Sequence, residues 1–133
     1  MRIKIDNLNK IALAWAAIKA MGHEPHISGG SVSYRTDHGS WDAVRVNEHE
    51  AAQLIVEHWI GLERPSRGQT PPQWRAITNA VLDGARRSTG ALVVDAWSPD
   101  MATAVHRCFV KSRFGEDIEI PDELAEDILV QAA

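Results

Sequence analysis

The chain has 133 residues, 44% hydrophobic and 24% charged, with 14 basic against 18 acidic side chains and a net charge of −4. That length supports one domain, residues 1–133, with a core that needs no disulfide or metal, and the composition is not that of a disordered chain. The negative balance disfavours non-specific nucleic-acid binding.

A single cysteine, Cys108, excludes an internal disulfide framework and points to a reducing compartment. Beside Phe109 on the apolar side of a helix, it reads as a buried thiol acting as a small hydrophobe. No apolar run has transmembrane length, and the charged opening MRIKIDNLNK is unlike a signal peptide. The expectation is a cytoplasmic protein with no membrane partner.

In chain order, Arg2-Ile3-Lys4-Ile5 alternates and predicts a short strand. Asp6-Asn7 supplies cap chemistry for a helix carrying Ile11, Ala12, Trp15, Ile18 and Met21, ended by Gly22. Gly29-Gly30 and Asp37-His38-Gly39-Ser40 are turns, and the alternating residues after each predict a β-hairpin over 31–46. Asn47-Glu48-His49-Glu50 is a capping box, opening a helix with Ala51, Ala52, Ile55, Trp59 and Ile60 that ends at Gly61.

Residues Leu62 to Gln69 predict a loop. Thr70-Pro71-Pro72-Gln73 reads as a second capping box, with Trp74, Ile77 and Val81 on one face of its helix. Gly84 interrupts that helix and Arg86-Arg87 finish it. Ala91 to Trp97 has the length and valine content of a strand, although a helical turn also fits.

Ser98-Pro99-Asp100 is a helix entry, with serine as cap, proline at the first helical position and an acid at the positive end of the dipole. Met101, Val105, Cys108, Phe109 and Ser112 follow at helical spacing. Lys111 and Arg113 complement the negative end, and Gly115 stops the helix. Ile118 and Ile120 alternate with Asp117 and Glu119 as a strand, Pro121 ends it, and Asp122-Glu123 open a last helix. Arg2 and Lys4 oppose Asp117 and Glu119 in charge, which makes the two chain ends candidate neighbours. The fold class is α+β, with four or five helices around a small, partly antiparallel sheet.

No residue pattern here signals catalysis or a cofactor. His23 and His26 are held off a helix by Pro25, while His49 and His58 lie on opposite sides of one helix, so no metal set is expected. His106 and Cys108, two apart on a helix, do not face each other.

The five tryptophans carry more. Trp15, Trp59 and Trp74 fall on apolar helix sides and are expected in the core. Trp41 leaves a polar turn with Tyr34, Arg35, Asp37 and His38 around it. These five residues are the candidate ligand or partner site, with stacking aromatics and an anion-gripping arginine; the alternative is a hairpin packing its aromatics on the core. Arg64, Arg67, Arg75, Arg86 and Arg87 form a basic stretch and a candidate charged interaction face. The seven acids from Glu116 to Asp127 are its expected counterpart, within this molecule or in a homo-oligomer.

Ala12-Leu13-Ala14-Trp15-Ala16 near the start, and Ala104-Val105-His106-Arg107-Cys108-Phe109-Val110 leading to Phe114-Gly115-Glu116-Asp117-Ile118-Glu119-Ile120-Pro121-Asp122-Glu123-Leu124, resemble the NinX family, small bacteriophage proteins of unknown function. Thr36 to Ala43 reads TDHGSWDA where the family has an aspartate–tryptophan–alanine–glutamine–glycine–glycine run, and 47–90 reads as an addition. The resemblance therefore transfers no functional residue. It implies a phage accessory protein acting in the cytoplasm of a bacterial host.

Two functions follow as expectations. One is a non-catalytic phage protein that binds a host factor, such as a component of antiviral defence. The other is a sponge for a small nucleotide-like anionic ligand, using Trp41, Tyr34 and Arg35. Duplex DNA titrated at low salt is expected to show no tight, salt-sensitive binding, because a net-negative surface repels a polyanion; tight binding that vanishes as salt rises would turn the arginine stretch into a nucleic-acid face.

Overall fold

A computed structural model describes residues 1–82, 85–86 and 93–125. Strand β1 (Arg2–Lys4) leads through a 3-10 turn (Ile5–Asn7) into helix α1 (Lys10–Ala20). Strands β2 (His26–Ser28), β3 (Ser31–Arg35) and β4 (Trp41–Val44) follow, then helix α2 (Glu48–His58). Strands β5 (Gly61–Glu63), β6 (Trp74–Asn79), β7 (Val81–Leu82), β8 (Ala85–Arg86) and β9 (Val93–Ser98) precede helix α3 (Met101–Phe114) and strand β10 (Asp117–Glu119). The class is α+β. In place of one sheet there are separate antiparallel sheets: β1-β10, β2-β3-β4, β5-β6-β9 and the pair β7-β8.

Helix α3 is the axis of the molecule. Val105, Cys108, Phe109 and Ser112 are buried on the expected side, and Ala104, His106, Val110 and Lys111 are buried on the others. A helix enclosed all round must be built from small or apolar residues, or from polar ones with partners. Small alanines on α1 (Ala12, Ala16, Ala17) and α3 (Ala102, Ala104) are buried with them, allowing close approach of backbones. The Cys108 thiol, wholly buried, is pushed up to about 12 by that burial.

Lys111 does not complement a helix end in solvent, as its position predicts. It is 5% exposed. Its ammonium donates to Asp6 Oδ2 at 3.0 Å and to the Asp95 carbonyl at 3.0 Å, with Glu116 at 3.5 Å. One cation thus ties α3 to the 3-10 turn and to β9. Asp6 is consequently no cap for α1; Asn9 is, accepting from the Ala12 amide at 2.8 Å.

The chain ends pair as the charges predict: Arg2 opposes Glu119, Ile3 opposes Ile118 and Lys4 opposes Asp117. The amino-terminal ammonium adds ion pairs to Glu119 at 2.9 Å and Asp122 at 3.4 Å. The predicted hairpin is also present, extended by β2 through the two-residue turn Gly29-Gly30, where both φ angles are positive (57° and 81°).

The predicted helix from Trp74 is instead strand β6. Ala76, Thr78 and Ala80 face the core while Arg75, Ile77 and Asn79 alternate outward, a period of two and not of 3.6. Trp74, Ile77 and Thr78 favour a strand, and β9 supplies a six-residue antiparallel partner from Trp74↔Ser98 to Asn79↔Val93. Val81 and Arg86 continue into β7 and β8, whereas Gly84 and Arg87 lie outside the described residues. The predicted loop from Leu62 is likewise shortened by β5 at its start.

Ends of helices differ in detail. Asp100, not Ser98, occupies the cap of α3; Ser98 closes β9 and its hydroxyl accepts from the Asp100 amide at 3.1 Å. Asn47 caps α2 through the Glu50 amide at 2.9 Å, but the Glu50 carboxylate returns to the Arg45 amide and not to Asn47. Helix α2 ends before Gly61: Trp59 takes the left-handed conformation (φ 56°, ψ 48°) and donates its amide to the Ile55 carbonyl. That turn swings Trp59 out of the apolar stripe, leaving it 80% exposed, and lets Ile60 point inward. Trp59 is therefore not core. Trp15 and Trp74 are half-buried against the core. Asp122 starts a helical turn described over 122–125, held by Leu124 and Ala125 amides on the Pro121 carbonyl.

Asp6→Ala is expected to cost about 1.5–3 kcal/mol in urea unfolding, the range for a hydrogen bond to a charged group. Adding Lys111→Met should recover part of that loss, because the buried ammonium, left with the Asp95 carbonyl and the more distant Glu116, is then gone.

Candidate binding site

The alternation of β3 splits the sequence-predicted cluster across two faces of the hairpin. Val32 and Tyr34 point into the core, while Arg35 points outward opposite Trp41. Trp41 is 56% exposed and meets the His26 ring edge-on, with centroids 5.0 Å apart. Asp37 and His38 are exposed in the turn, which closes through Thr36 and Ser40. Arg35, His26 and Trp41 thus share the outer face without Tyr34, whose ring stacks on His23 with centroids 4.5 Å apart.

The arginine stretch also separates. Arg64 and Arg67 are exposed in the loop after β5. Arg75 meets β5 and β9 instead of the acidic tail: its Nε donates to Asp95 at 3.0 Å, Glu63 is at 3.5 Å, and Trp97 lies beneath the guanidinium at 5.5 Å. Arg86 lies in β8, and Arg87, Glu126 and Asp127 fall outside the described residues.

On the inner side of the hairpin is a pocket of about 190 Å³. Tyr34 and its cross-strand neighbour Asp42 form one wall. Helix α2 supplies Glu50, Gln53, Leu54 and Glu57, recurring at the spacing of one helical face. Ala17 of α1, Met21 just past its end, Ala43 and Val44 of β4 and His106 of α3 complete it. Glu57 and Asp42 stand at the rim in solvent, Glu50 is half-buried, and His106 is 1% exposed.

The charges work together. Burial pushes the Tyr34 hydroxyl upward, and the adjacent Asp42 carboxylate, by charge and hydrogen bonding, adds to it; the charges of Glu50 and Glu57 act in the same direction. Burial also raises the Glu50 carboxyl, offset in part by its bond to the Arg45 amide. His106 is pushed down by burial and is neutral at pH 7. Its Nδ1 lies 2.8 Å from the Ala102 carbonyl, which can only accept, so Nδ1 carries the proton and Nε2 the lone pair.

Sequence reasoning missed this pocket, though Glu50, Gln53 or Leu54, and Glu57 are legible as one stripe and His106 as a polar interruption between Val105 and Cys108. Among the described residues, no three histidine, cysteine or carboxylate groups converge closely enough for a metal ion. No helix among them is long and apolar enough to cross a membrane.

The chain matches no known family and no curated protein.

The lowered His106 has a sign that thermal unfolding can read. Below the ordinary histidine value near 6.5, the unfolded chain takes up a proton at this ring that the folded chain refuses, so stability falls on acidification. The melting temperature is expected to drop between about pH 7.5 and 5.5, and His106→Gln should flatten that slope.

Proposed function

We propose that this protein is a non-catalytic binding module of bacteriophage type that engages a host protein in the bacterial cytoplasm through tryptophans held in solvent. Trp59 carries the reading. A bulky residue in the left-handed region costs on the order of 1–2 kcal/mol, which glycine would avoid, and at 80% exposure the ring recovers little of it by packing. A strained, exposed tryptophan favours a role outside the fold, and tryptophan is the residue type most enriched at binding hot spots.

Val56, one turn earlier on α2, is also exposed, and Trp41 and Trp97 (46% exposed) provide further aromatic surface. The setting in a phage and the choice of a host factor, such as a defence component, rest on the NinX resemblance. A nucleotide-like anionic ligand is the less favoured reading: Tyr34 and Arg35 stand on opposite faces of β3, and the pocket that Tyr34 does line is ringed by carboxylates.

Trp59→Gly removes the ring and relieves the backbone together. It is expected to unfold at the same temperature or higher, yet to lose the host protein that co-purifies with the wild type. Equal recovery of that partner by Trp59→Gly would exclude Trp59 as the anchor, leaving Trp41→Ala and Trp97→Ala to be tested in the same way.

A further inference from the structure

A second cavity, independent of the tryptophan surface, lies between the first turns of α1 and the hairpin and has a volume of about 290 Å³. Ile11 and Ala14 of α1 form one wall; the cross-strand partners Val32 and Val44, with Val46, form the other. Ala14, Val32 and Val46 are buried, so the floor is built from the core itself. The charge at the mouth has one sign. Lys10 and Arg45 line the groove and no carboxylate does, the reverse of the acidic pocket at the other end of α1. Lys10 has Asp100 at 3.8 Å. The exposed Arg45 guanidinium forms no ion pair or hydrogen bond among the described residues, although its charge reaches Glu50.

We propose that this groove binds a free alkyl carboxylate of medium chain length. The carboxylate takes the Arg45 fork, which matches it bidentately, with the Lys10 ammonium as a second positive charge, and the alkyl stem lies along the apolar walls. Size and charge select the class. At about 30 Å³ per heavy atom, the share of a water molecule in the liquid, 290 Å³ holds roughly ten non-hydrogen atoms, the size of octanoate. A nucleotide is too large, and no aromatic side chain lines the groove to stack on a base. With Asp100 already beside Lys10, one further negative charge balances the mouth, which favours a monocarboxylate over a phosphate dianion. The stem supplies the affinity, since each methylene fully buried is worth about fourfold.

The test is an NMR titration of the intact protein with sodium octanoate, with n-octanol and n-octylammonium as controls for the charge. Saturable shifts of the Ile11, Val32, Val44 and Val46 methyl groups are expected with octanoate, weaker binding with octanol and none with n-octylammonium. Affinity should climb from butyrate through hexanoate to octanoate by roughly twofold or more per methylene, because a groove encloses the stem only in part.

Arg45 is exposed, so Arg45→Gln leaves the core untouched, which circular dichroism checks; it should weaken octanoate binding roughly fivefold. Arg45→Lys, which keeps the charge without the fork, should weaken it by less. No saturation with octanoate, equal binding of octanol or n-octylammonium, an affinity that does not grow with chain length, or unchanged affinity in Arg45→Gln would overturn the proposal. So would Nα-acetyl-glutamate amide binding as tightly as octanoate, because the groove would then belong to an acidic protein side chain.

Discussion

The burial of α3 on nearly every side from Ala102 to Ser112 is the constraint on which the remaining structure depends. A helix with one wet face can tolerate almost any residue there, but α3 packs against α1, α2, β6 and β9 at once. Every polar group it carries must then find a partner inside. Thr103 and Asp100 bond each other at 2.6 Å, Ser112 donates to the Phe109 carbonyl at 2.6 Å, and Lys111 reaches Asp6 and the Asp95 carbonyl. These bonds connect α3 to the chain start and to β9, elements far apart in sequence.

Arg107 is where this satisfaction stops short: its Nη atoms donate to the Trp97 and Leu8 carbonyls at 3.4 Å, while its buried Nε meets no partner among the described residues. His106, bonded through Nδ1 to the Ala102 carbonyl, is buried and also lines the acidic pocket. The hairpin contributes to the same place, because the inner face of β3 and β4 carries Tyr34 and Asp42 side by side. Core packing and pocket chemistry are therefore not separate layers. The helix that organises the core also closes the pocket, and one ring belongs to both.

A second tension lies at the end of α2. The apolar stripe of that helix needs Ile60 turned inward, and a left-handed residue before it makes the turn possible. Glycine would serve at less cost, yet tryptophan stands there and points into water. The adjacent sheet shows the opposite arrangement at Trp97, whose ring is half covered by the Arg75 guanidinium, itself paired with Asp95 and Glu63. One tryptophan is partly sheltered by its neighbours and the other is not.

Local chemistry alone determined the α+β class, the hairpin of 31–46, the glycine turns, the helices α1 to α3 and the charge-matched pairing of β1 with β10. Each is written in neighbouring residues: alternation, cap oxygens, positive-φ glycines and opposed charges act over a few positions. Tertiary structure decided the rest. Trp74, Ile77 and Val81 fit a helical face as well as Ala76, Thr78 and Ala80 fit a strand face, and only the backbone partner offered by β9 settles the period. The side of β3 on which Tyr34 falls, the exposure of Trp59, the burial of Lys111 and the meeting of α2 carboxylates with His106 all depend on long-range register and on which elements surround α3. No local signal encodes those, since a hydrophobic stripe specifies that a face is buried but not what it is buried against.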